Sequence, residues 1–155
     1  MDLNLRTYAF DLIEQAKQNL RQDGCLFPVA FIVTPETILV SGVRFETPEE
    51  KQEAYQAVIE AARQHLALAI ITLNDAHYGR PAPGQTASHV PGRLAAEGAP
   101  ECIFLSVSGP DITTWSVTVP YKRPADGIAF EPPEEFEGGD FNLLPGWSSS
   151  GGART

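Results

Sequence analysis

The chain has 155 residues, 43% of them hydrophobic, and a formal net charge of −9. Such a length fits one domain with its own core, and such a composition excludes a disordered chain. The acidic balance argues against a nucleic-acid binder and against a protein of anionic membrane surfaces, since both need a basic face.

Leu5, Tyr8, Ala9, Leu12, Ala16 and Leu20 recur at helical spacing, with Phe10 and Ile13 at the edge of the stripe. They predict an amphipathic helix from about Leu3 to Arg21. Gly24 is suited to end it in the left-handed conformation. The apolar run Cys25–Val33 reads as a buried strand, with Pro28 at its first position because proline cannot donate to a ladder. Thr34-Pro35-Glu36-Thr37 is a turn, and Thr37–Ser41 returns as the second strand of an antiparallel hairpin.

Thr47-Pro48-Glu49-Glu50 is a capping box with proline at the first helical position. Ala54, Ala57, Val58, Ala61, Ala62, Leu66 and Ala69 then form one apolar face of a second helix. No glycine or proline stops this helix. The shift in composition places its end near Leu66 to Leu68 and starts a strand that runs from Ile70 to His77. That strand is apolar on both sides, so it belongs in the middle of a sheet. Period two puts Ile71, Leu73, Asp75 and His77 on one face.

Residues Gly79 to Pro100 are rich in Gly, Pro and Ala and have no period, which predicts a long functional or mobile loop. Strands are expected again over Glu101–Val107 and Ile112–Tyr121, joined by a turn at Ser108–Asp111. In the second of these, Trp115, Val117, Val119 and Tyr121 alternate with Thr114, Ser116 and Thr118, the pattern of a strand buried on one face only. After a turn at Lys122–Gly127, Ile128–Phe130 would add a short edge strand. From Glu131 the chain is acidic, then carries the apolar motif Phe141–Trp147, then ends in Ser and Gly.

The element order is α-β-β-α-β-β-β(-β). It predicts an α+β fold, a mostly antiparallel sheet of five to six strands with two packed helices over residues 1–130. An acidic, partly flexible tail follows over residues 131–155. The two cysteines have no CxxC spacing and are expected to be reduced and buried. The first residues lack signal-peptide features and no apolar run spans a bilayer, so the expected location is cytosolic.

Several pieces together resemble a family of small uncharacterised bacterial proteins. They are Asp23–Phe31, Lys51 in the second helix, the strand ending in Asp75-Ala76-His77, Glu101 opening a strand, and Pro120-Tyr121-Lys122-Arg123 before Gly127–Phe130. The resemblance covers roughly Leu5 to Phe130. It implies a shared fold and no assigned activity, and it places His77 where a bulky aromatic residue is expected.

No GxGxxG, GxxxxGK[ST] or GxSxG occurs, and the prolines of Gly79–Gly84 remove backbone donors that would cradle a phosphate. Asp75 and His77, with His89 or Glu101, are the candidate ligands of a zinc-like ion that would activate water. Their spacing matches no compact zinc motif. His65 is expected as a partly buried helix residue. Phe141, Leu143, Leu144 and Trp147 form an apolar motif that cannot make a core alone, with Trp147 as its natural anchor. Arg80 and Arg93 are the cationic residues of the long loop.

The preferred expectation is a non-enzymatic cytosolic protein that binds another protein through the 79–100 loop and the 131–147 tail. It needs no cofactor. One alternative is a metal-assisted hydrolase using Asp75, His77 and His89. Another is an acidic inhibitor of a basic protein surface. The apolar tail is also compatible with a homo-oligomer.

Overall fold

A computed structural model describes residues 4–77, 101–125, 127–137, 144 and 147. Helix α1 spans Leu5–Asp23. Its Asn4 cap accepts from the Thr7 N–H at 3.1 Å, and Gly24 closes it at φ 80°, where a side chain would be strained. Helix α2 spans Pro48–Gln64 behind the expected capping box, both halves of which form. Around them lie β1 (Val29–Val33), β2 (Ile38–Gly42), β3 (Ala69–His77), β4 (Glu101–Gly109), β5 (Ile112–Lys122), β6 (Ala129–Phe130) and β7 (Glu134–Glu137). The α+β architecture read from the sequence is the one observed.

The strands make one sheet in the order β2-β1-β3-β4-β5-β6, with β7 also on β5, and every pairing is antiparallel. β3 and β4 occupy the middle. The two helices lie on opposite faces. Ala9, Ile13, Ala16 and Leu20 of α1 pack on one face, over Ile71, Leu73, Ile103, Leu105, Val117 and Val119. Tyr55, Val58, Ile59 and Ala62 of α2 pack on the other, over Ala30, Ile32 and Ile70. Each fully buried Leu or Ile in these layers stabilises the fold by about 1.5–3 kcal/mol.

Several expectations are corrected. α2 ends at Gln64 with His65 as its cap, one turn earlier than the composition suggested. Leu66 then takes φ 53° and points into solvent at 80% exposure, so it is no part of the apolar face. The chain must turn here to bring Leu68 N–H onto Val33 O at 2.7 Å. Gly109 answers that turn from β4: a Cβ there would meet the Leu68 carbonyl oxygen at 2.4 Å. His65 and Cys25 are exposed, whereas Cys102 is buried as expected.

β5 is not half-wet. Ser116 and Thr118 are as buried as Val117 and Val119. Its polar alternation at Ser116 and Thr118 marks a covered face of unusual chemistry, while Thr114 is partly buried. The acidic start of the tail also carries a strand, β7, which its composition does not predict. Arg6 of α1 forms an ion pair with Glu135, Trp115 Nε1 donates to the same carboxylate at 3.2 Å, and the Arg6 guanidinium lies 5.1 Å from the Phe10 ring. The contacts of Glu135 with Arg6 and Trp115 hold four residues that local propensity alone would not.

Candidate functional site

On the α2 face the register aligns polar residues across three neighbouring strands. Thr72 of β3 lies opposite Ser106 of β4, and Ser106 lies opposite Ser116 of β5. One step along, Asn74, Phe104 and Thr118 are level, and Ser108 is level with Ile70. α2 covers only the half of this face over β1, β2 and the start of β3.

The hydroxyl-bearing half is nevertheless buried. Thr72 and Ser106 satisfy each other at 2.7 Å. The Oδ1 of Asn74, the Oγ atoms of Ser108 and Ser116 and the Oγ1 of Thr118 have no hydrogen-bond partner among the described residues. Leaving one such group unmade costs about 1–3 kcal/mol. Trp147 continues the layer beside α2. Its indole Nε1 donates to the Ser108 carbonyl at 3.0 Å, the residue is 5% exposed, and Leu144 packs with it against the α2 cluster. The tail anchor picked out by sequence therefore docks on its own domain.

A second polar cluster sits at one corner of the α1 face. Asp75 and Glu101 lie there with Tyr121 and Arg123. Arg123 grips Glu101 with two bonds, 2.6 and 3.2 Å. The Leu26 N–H donates to Asp75 Oδ2 at 3.3 Å, tying the loop before β1 to β3. Burial first, and then the charges of Asp75 and Glu101, push the Tyr121 phenol up to about 12. Burial likewise pushes the Cys102 thiol up to about 12, with Asp75 and Glu134 adding to it, so it stays a thiol at neutral pH.

Of the proposed metal ligands, Asp75 and Glu101 thus hold structural partners. His77 lies in β3 level with Glu101, but its side chain is outside the described residues, as is His89. Among the described residues no three His, Cys, Asp or Glu side chains gather as a metal would need. Arg80, Arg93, Phe141 and Leu143 also lie outside the described residues.

The serines and threonines of the polar face were missed by motif reasoning. A usable signal existed: Thr72/Asn74, Ser106/Ser108 and Ser116/Thr118 are polar pairs at period two in three successive strands. Only the pairing register puts them side by side. No helix among the described residues is long and apolar enough to cross a membrane. No family model, curated protein or solved structure matches this chain.

Proposed function

We propose that this is a non-enzymatic cytosolic protein that binds another protein, with the hydroxyl-lined half of its sheet as the receiving surface. The tail motif around Trp147 is the occupant in cis. A partner segment bearing an aromatic anchor and free hydrogen-bond donors exchanges with it, and residues 79–100 add contacts to the partner.

One observation carries this reading: Trp147 packs at the Ser108 end of a face on which, among the described residues, four side-chain oxygens have no hydrogen-bond partner. A cover chosen only for stability would be apolar against apolar. This one forfeits hydrogen bonds that a better-matched segment would make, which lowers the barrier to exchange.

The test uses the full chain and a labelled peptide with the sequence of residues 138–155. Trp147→Ala empties the face in cis, so that variant binds the peptide saturably, whereas the parent protein competes with its own tail and binds it much more weakly. A peptide lacking the tryptophan does not bind. A folded Trp147→Ala protein that takes up no peptide would falsify the proposal.

A further inference from the structure

The outer edge of β2 has no neighbour among the described residues. Its backbone polarity is readable from the bonds it makes to β1. The Val43 N–H donates to Pro28 O at 2.9 Å, and the Thr34 N–H donates to Thr37 O at 2.8 Å. In an antiparallel ladder alternate residues face the same neighbour. Thr37, Leu39, Ser41 and Val43 therefore face β1, and Ile38, Val40 and Gly42 turn their N–H and C=O groups outward.

No charged residue lies within β2 itself, and Val40 is 64% exposed. Natural edges are usually blunted by lysine, proline or a bulge, and this one is not. Its flanks are charged and of opposite sign. Glu36 stands four residues before Val40 and Arg44 four residues after it; both are exposed, and neither forms an ion pair among the described residues. The turn that carries Glu36 is pinned, because Thr34 Oγ1 accepts from the N–H groups of Glu36 and Thr37 and donates to Thr37 O.

We propose that the β2 edge joins two copies of this chain, antiparallel, about a two-fold axis through Val40. The free groups restrict pairing to Ile38, Val40 and Gly42, and this phase engages all three. Val40 meets Val40 of the copy and Ile38 meets Gly42, each as a pair that exchanges both backbone bonds. The same phase sets Glu36 opposite Arg44 of the copy, twice, with the Ile38 and Val40 side chains on the α1 face. An isologous contact needs a surface complementary to itself, and Glu36-x₃-Val40-x₃-Arg44 is such a segment. The two sheets become one continuous sheet, with both α1 helices on one side and both α2 helices on the other. This surface is separate from the hydroxyl-lined face, so either reading can fail alone.

Sedimentation velocity across a concentration series tests it. The parent protein shows a concentration-dependent monomer–dimer equilibrium. Val40→Pro abolishes the dimer and leaves circular dichroism unchanged, because the lost N–H faces outward and proline is tolerated there. Glu36→Arg and Arg44→Glu, both at exposed positions that fold regardless, each weaken association roughly tenfold, and the double variant recovers it. A dimer that survives Val40→Pro, or charge variants without mutual rescue, overturns the proposal. So does a parent protein that is monomeric throughout, which would leave the edge to a strand from a different protein.

Discussion

The two edges of the sheet solve the same problem in opposite ways. At the β5 side, β6 has two residues and β7 four, and β7 reads Glu-Glu-Phe-Glu. Short length and charge discourage any further strand. That edge is held from within, by Arg6 and Trp115 on Glu135. At the β2 side a strand of five uncharged residues turns the backbone groups of Ile38, Val40 and Gly42 outward with no partner among the described residues, and opposite charges stand just beyond each end. The lesson is that an edge is an address as much as a liability: the closed one is written in repulsive chemistry, the open one in self-complementary chemistry.

The largest effect expected is one that both edges share. Leu105 is fully buried in β4, between them. Leu105→Ala lowers unfolding free energy by about 2–5 kcal/mol. Hydrogen exchange then reports faster opening at β2 and β7 together. An edge that keeps its protection while the other loses it would show that the two edges belong to independent units.

Alkali is next. Burial raises the phenols of Tyr55 and Tyr121 and the thiol of Cys102 to about 12. These groups are protonated in the folded state at a pH where the unfolded chain has released them. Stability is therefore fully present below about pH 9, near the unfolded thiol value, and falls as pH climbs toward 12. The slope reaches about 1.4 kcal/mol per pH unit for a group that stays protonated while its unfolded counterpart ionises. Urea midpoints at pH 8 and pH 11 measure it, and equal midpoints would contradict the burial of these groups.

Acid separates the edges. Bonding to Arg6 holds the Glu135 carboxyl below its ordinary range. Its contribution is present above the unfolded carboxylate pKa and is lost as pH falls through the lower, folded value. Amide protection over Glu134–Glu137 therefore decays first on acidification, and Glu135→Gln mimics this at neutral pH. β2 has no titratable side chain, so at concentrations where the chain is monomeric protection across Ile38–Gly42 stays constant in the same window.

Val40→Lys brings the smallest effect. The position is mostly exposed, so monomer stability at low concentration shifts by no more than about 0.5 kcal/mol. A larger loss in urea titration would mean that the edge strand is integral to the monomer fold.

Much of the framework was legible from local signals. The capping box at Thr47, the cap at Gly24, the hairpin turn at Thr34–Thr37 and the period-two strands are short-range patterns, and the structure realises each. The candidate site was only half legible. Trp147 stood out because an aromatic in a Gly- and Pro-bounded tail has no local core to join. The hydroxyl row did not stand out, because a serine at alternate positions looks the same beside water as beneath a covering layer. β7 was hidden for a similar reason: four acidic-rich residues have little strand propensity until Arg6, 129 positions away, neutralises one of them.

Caps, turns and hydrophobic period act over a few residues, so the sequence alone set roughly where both helices and the strands other than β7 lie. It also determined that the sheet would be mostly antiparallel and covered. The tertiary structure decided which helix took which face, that the polar side of β5 would be buried, and which groups an outer strand would leave free. Those outcomes depend on strand order and register, which bring together residues that share no neighbourhood in the chain.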